Sequence, residues 1–218
     1  MKYVVVLPYI VKRFRDACME NCKFENVLEI DNTARNMGIM ASHNLGIEKM
    51  YEEDADWLIV MSAAVRFGDR GGLDFIKTLE TTDWKVVEAD PVYGWHLIAF
   101  HRSVIDKVGY WDTNFTPYGY DDLDYSLRIR KAFADDPEFK WEKVTIDITD
   151  TIMGHSLRLG DVRPNDEALM AYYENKWGMS PGSGENASNT FNTPFNDPSL
   201  DLKYFPTQWF EKWKDEHW

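Results

Sequence analysis

The sequence is short of cysteine: Cys18 and Cys22, in "CMENC", are the two it has in 218 residues. That excludes a disulfide framework. At i and i+4 the two thiols would share one helix face, where a disulfide is geometrically poor, and a two-thiolate metal site would lack its other ligands. Both are expected as half-buried thiols in a reducing cytosol. Long apolar runs are missing too. "WLIVMSAAV" (57–65) is about half a membrane span, and the apolar start "YVVVLPYIV" (3–11) is short and broken by Pro8, unlike a signal peptide. A cytoplasmic protein without a membrane span is expected. Positive charge is scarce, with 24 Lys and Arg against 37 Asp and Glu and a net charge of −13. Long-range attraction to nucleic acid or anionic lipid is therefore not the main binding force, although "KRFR" (12–15) and Arg158–Arg163 are local basic clusters. Glycine is absent from "PYIVKRF" after the first apolar run, which argues against a dinucleotide-binding oxidoreductase. No internal repeat is visible.

What is present reads as a globular chain, 44% apolar and 28% charged, long enough to bury a core. Strand-like and helix-like segments alternate, the pattern of α/β layering. Strands are expected at 2–7, 26–31, 56–61, "WKVVEA", "WHLIAF" and 143–148. Helices are expected at 12–22, 40–53, 71–80, "SVIDKVG" up to Gly109, 121–133 and 166–178. Residues 179–198 turn to Pro, Gly, Ser and Asn and read as a loop. The tail "YFPTQWFEKWKDEHW" then places Phe205, Trp209 and Trp213 four apart, an amphipathic stripe suited to folding back on the domain or closing a homo-oligomer.

Two constellations carry chemistry. In "EIDNTARNMGIMASHNLG" (29–46), Asp31 and Asn32 follow a strand, where ligands bind in open α/β sheets. Arg35 suits a phosphate and Gly38 allows close backbone approach, while Asx residues at such a place are also ordinary turn chemistry. In "YGYDDLDYSLR" (118–128), Asp121, Asp122 and Asp124 open a helix. Carboxylates there satisfy free N–H groups and the helix dipole. Three of them beside Tyr110, Trp111, Tyr118 and Tyr120 also suit acid–base work, and Asp124 is spaced to pair with Arg128.

The segment "GWHLIAFHRSVIDKVGYWDTNFTPYGYDDLDYSLRIRKA" (94–132) resembles family 2 glycosyltransferases of GT-A fold, in which a strand, "R-S-V", "V-G" and an aromatic turn lead to "E-D-x-D-hydrophobic-S-L-R". The earlier segment is similar to that family's "D-N…R-N-x-G…N-x-G", and order and spacing agree over residues 2–178. The resemblance implies a GT-A-type, Rossmann-like mixed sheet flanked by helices over 1–178, with 179–218 a loop and aromatic arm. It implies an inverting hexosyl- or pentosyl-transferase using a nucleotide-diphosphate sugar, UDP by family habit. Asp122 would be the general base with Asp121 beside it. Asp31, Asn32, Arg35, Asn36, Asn44 and Arg66 would bind the donor. Trp95, His96 and Tyr120 would line the acceptor site, and His155 would be a metal ligand.

One departure stands out. Where the family carries Asp-x-Asp for Mg²⁺ or Mn²⁺, this chain reads Ser62-Ala63-Ala64. Neutralisation by Arg66 or Arg35, a metal site rebuilt from His155 with Asp90 or Asp69, and a catalytically silent nucleotide- or carbohydrate-binding protein are the three alternatives. The acceptor is read as a protein, a glycan or a modified DNA base of a phage, the acidic balance weighing against duplex DNA.

Overall fold

A computed structural model describes residues 1–90, 95–116, 118–151 and 166–182. The expected histidine ligand His155 and the aromatic stripe at 205–213 lie outside the described residues. The α/β expectation holds. Six strands form one mixed sheet in the order β2-β1-β3-β6-β5-β7: β1 (Tyr3–Tyr9), β2 (Val27–Asp31), β3 (Trp57–Met61), β5 (Val86–Asp90), β6 (Leu97–His101) and β7 (Trp141–Thr145). β1 is parallel to β2 and β3, and β5 is parallel to β7. β6 runs antiparallel to both of its neighbours.

The near-continuous apolar runs of β1 and β3 follow from their place in the middle of a sheet covered on both faces. Alternate residues go to opposite sides. Val4 and Val6 face a core with α2 (Ile39–Glu52), α4 (Arg102–Val108), α5 (Asp121–Ala132) and α6 (Asp166–Trp177). Val5 and Leu7 face α1 (Lys12–Met19) and α3 (Leu73–Thr81). α2 lies so close to the sheet that a Cβ on Gly46 would sit 2.9 Å from the Val6 Cβ and 3.1 Å from Leu58 Cδ1. α4 stops at Gly109, as expected, with φ +84° in the left-handed region.

Two expectations are corrected. The helix expected over 12–22 ends at Met19, so Cys22 leaves the face that Cys18 occupies, and its N–H donates to the Met19 carbonyl. Both thiols are free, and burial pushes the Cys18 thiol up to about 12. The strand expected over 143–148 is two strands. β7 ends at Thr145, buried Ile146 turns the chain, and β8 (Ile148–Thr151) leaves the main sheet to pair with β4 (Val65–Phe67).

Candidate active site

The sheet register collects the chemistry on one edge. Tyr9 pairs with Asp31 at the carboxyl ends of β1 and β2. Met61 pairs with Leu97, so the Ser62 N–H donates to the His96 carbonyl at 2.7 Å where β3 ends and β6 begins. Trp95, beside His96, packs against Tyr125 of α5 with ring centres 6.1 Å apart, so the first turns of that helix lie at the same edge, where the Asp122 charge acts on the His96 ring.

Asp31 is exposed. Its Oδ1 accepts from the Thr33 backbone N–H at 2.9 Å and the Thr33 hydroxyl at 2.6 Å. These bonds, a hydrogen bond from the Tyr9 hydroxyl and the nearby Lys12 ammonium hold its carboxyl below the usual range, against the effect of partial burial. Arg35 is exposed on the same loop. Asn32 and Asn36 instead turn inward. Asn32 donates to Ser42 Oγ at 3.1 Å and accepts from the Met37 N–H, and Asn36 accepts from the Gly38 N–H at 2.9 Å. They fix the loop that enters α2 at Gly38, whose φ is +84°. Asn44 sits farther along α2 and brackets the Trp111 peptide, donating to its carbonyl at 3.0 Å and accepting from its N–H at 2.8 Å.

The turn after β3 holds no carboxylate. The Ser62 Oγ accepts from the Ala64 N–H, and the Arg66 guanidinium crosses the turn, donating from Nη1 to the Ala63 and Val65 carbonyls at 2.8 Å each. Arg66 also lies 5.7 Å from the centre of the Phe14 ring, with Arg13 5.4 Å from the same ring. Carbonyls that would face a metal here already face a cation, so the turn does not fit Mg²⁺ or Mn²⁺. Among the described residues no three His, Cys, Asp or Glu side chains gather as a metal site. Asp69 and Asp90 are exposed.

The three carboxylates of α5 divide into two kinds. Asp121 and Asp122 are half-buried at the helix mouth. Asp121 Oδ1 accepts from the Gly119 N–H at 3.0 Å, and Asp122 Oδ1 accepts from the Leu123 N–H at 2.8 Å. Burial, with the Asp122 charge adding to it, pushes the Asp121 carboxyl up to about 7. His96 is pushed down by burial, in part offset by Asp122. Tyr120 reaches this corner in the left-handed conformation at φ +62°, a placement that costs roughly 1–2 kcal/mol for a residue with a Cβ. Its ring lies 5.9 Å from that of Tyr173. Trp95, one residue before His96, packs edge-on against Phe100 and Tyr125.

Asp124 points the other way. It is 1% exposed and accepts from Arg128 Nε at 2.9 Å, as the spacing led us to expect. It also accepts from Trp177 Nε1 at 2.9 Å and from Lys176 Nζ at 2.7 Å. Lys176 reaches a second buried carboxylate, Asp112, at 2.7 Å, and Tyr172 donates to Asp112 at 2.8 Å. Sequence reading missed Asp112 and Lys176, and it missed Tyr9. The clue available was "YYENKWG", a segment that sets a lysine between its tyrosines and its tryptophan.

No sequence-family model matches the chain, and no curated protein matches it. By shape it is similar to the crystal structure of a glycosyltransferase involved in the glycosylation of the major capsid of PBCV-1. That match has a TM-score of 0.38 and 10% identity over 67% of this chain and 83% of the other. It is similar also to the crystal structure of S. aureus TarS 1-349, with a TM-score of 0.41 and 7% identity over 59% of this chain and 55% of that one.

Proposed function

We propose that the chain is an inverting glycosyltransferase of GT-A type, moving a sugar from a nucleotide-diphosphate donor to a hydroxyl acceptor. The observation that carries the reading is the Asp121–Asp122 pair, half-buried beside His96 on the same sheet edge as exposed Asp31 and the guanidinium of Arg66. Asp31 accepts from the ribose or base, with UDP the first donor to try. Arg66 lies beside Phe14 and Lys12 near Asp31, and the two offset the diphosphate charge. Asn32, Asn36 and Asn44 act through the shape of the loop and helix they hold. The acceptor oxygen forms a bond to the anomeric carbon as the bond to the diphosphate breaks, and its proton passes to Asp122. His96, Tyr120 and Trp95 line the acceptor side.

The Asp121 carboxyl, pushed up to about 7 by burial and by the Asp122 charge, holds a proton in mild acid. Ionisation of Asp121 places a second negative charge beside Asp122 and strengthens it as a base, so kcat/KM should rise as pH passes through about 7. A carboxylate-free turn at Ser62-Ala63-Ala64 favours a second reading, a silent nucleotide- or sugar-binding protein.

The two readings part on Asp122→Asn. Under the transferase reading, turnover falls about 10²- to 10⁴-fold. A nucleotide at a hundred times its Kd still stabilises the variant by about 2.7 kcal/mol in a thermal-shift assay. That stabilisation should be equal in Mn²⁺ and in EDTA. A variant with unchanged turnover overturns the assignment of the base, and a panel of nucleotide diphosphates without any shift overturns the donor site.

A further inference from the structure

A groove of about 880 Å³ runs along α5 on the side facing β5 and β7, lined on α5 from Ser126, one helical turn after the candidate base. Trp95, one residue from His96, Trp141 of β7 and Trp177 of α6 line it. Trp95 and Trp141 are half-buried, with ring centres 6.0 Å apart. Two of these indoles have their N–H groups engaged inside the protein: Trp141 donates to Glu88 at 2.8 Å and Trp177 to Asp124 at 2.9 Å. Trp177 is buried, and what Trp141 offers the groove is carbon surface, held in fixed orientation. Beside that surface Glu88 is also held by Lys143 at 3.0 Å, so an anchored carboxylate and an ammonium edge the aromatic wall.

Fixed indole faces next to anchored charged groups match the chemistry of a pyranose, which presents a C–H face to a ring and hydroxyls to polar side chains. The volume lies near the top of the roughly 300–1,000 Å³ usual for small-ligand pockets, more than one monosaccharide needs. We propose that this groove binds an oligosaccharide chain, and that the acceptor of the proposed transfer is a glycan whose body lies along α5 while its reacting end meets Asp122. The identity of the acceptor rests on the transferase reading. The sugar site itself does not.

The test is a titration of the full chain, ¹⁵N-labelled at the tryptophan indoles, with maltotetraose, cellotetraose, chitotetraose and mannotetraose, their monosaccharides, and a tetraproline peptide. Trp141→Phe assigns the Trp141 signal. At least one tetrasaccharide should shift the Trp95 and Trp141 indole signals, leave that of Trp57 in place, and bind more tightly than its monosaccharide. In Trp141→Ala its binding should weaken about tenfold, the scale of one lost aromatic stack. The thermal shift caused by UDP should not change in that variant. If Trp141→Ala does not fold, Glu88→Gln, which leaves an acceptor for the Trp141 N–H, should weaken the tetrasaccharide and not UDP.

No shift of these indoles by any tetrasaccharide overturns the proposal. So does equal binding by wild type and variant, or a response to the peptide alone. Failure of UDP to stabilise the wild type would sink the donor site and leave a positive sugar titration standing.

Discussion

Lys176→Met is the substitution whose effect the buried network predicts in most detail. Lys176 bridges Asp112 and Asp124, and the lysine and both acids are 2% exposed or less. With Arg128 they form a balanced set of two anions and two cations. Methionine fills nearly the same volume, so cavity formation contributes little. Asp124 keeps Arg128 and Trp177, whereas Asp112 keeps the neutral partners Tyr172 and Asn114. Removing one side of a buried pair costs about 3–5 kcal/mol, a large part of the roughly 5–15 kcal/mol that stabilises a domain.

The pH dependence identifies the cause. Burial works to raise the Asp112 carboxyl, and the Lys176 ammonium with hydrogen bonds from Asn114 and Tyr172 outweighs it, so the group is held below its usual value. In the wild type this contribution is present above the unfolded carboxylate pKa and fades as pH falls through the lower folded value. Without Lys176, burial prevails and the folded pKa rises, so the folded state of the variant takes up a proton first. The destabilisation should therefore be largest near pH 8 and shrink towards pH 5. Urea unfolding of both proteins at pH 8, 6.5 and 5 measures this directly. A loss under about 1 kcal/mol, or one constant across that range, would refute the view that uncompensated charge on Asp112 is what Lys176 prevents.

Asp121→Asn should raise stability at pH 8, because the raised carboxyl of Asp121 makes its ionisation unfavourable to folding between the unfolded carboxylate pKa and about 7. The gain should vanish below pH 4 in thermal melts, and it should come with slower transfer. Gly46→Ala should cost about 1–3 kcal/mol in urea unfolding despite the better helix propensity of alanine, since its Cβ would press on Val6 and Leu58. Arg66→Gln should raise the KM for the donor and increase its sensitivity to added Mn²⁺, measured by initial rates. An unchanged donor KM would move the phosphate contact elsewhere.

The apolar runs of β1 and β3 were legible because strands covered on both faces need no alternation, and the Asp124–Arg128 pair because helical spacing alone joins i to i+4. β4 was not legible. Three residues carry no period, and Val65–Phe67 is a strand only through pairing with β8, more than 80 positions later. The split at Ile146 was hidden because a buried isoleucine in a turn looks the same, in sequence, as one in a strand. Asn32 read as ligand-facing because it follows a strand, where Asx residues also serve turns, and Asn36 and Asn44 because of the family resemblance; the Ser42, Gly38 and Trp111 groups that hold them are visible only in the fold. Lys176 meets Asp112 across 64 residues, a pairing no local pattern encodes.

That separation also orders events on the ribosome. At roughly 5–20 residues per second, about 3–10 s pass between synthesis of Asp124 and of Trp177, which lies 53 residues later. During that interval the strands can begin to pair, but Asp112 has no lysine and the acidic helix no lid. The last of the described elements to be made thus decides whether the acid-bearing corner settles. A message with a premature stop just ahead of Lys176 would yield a chain with most of its sheet and a corner still carrying an unmatched charge.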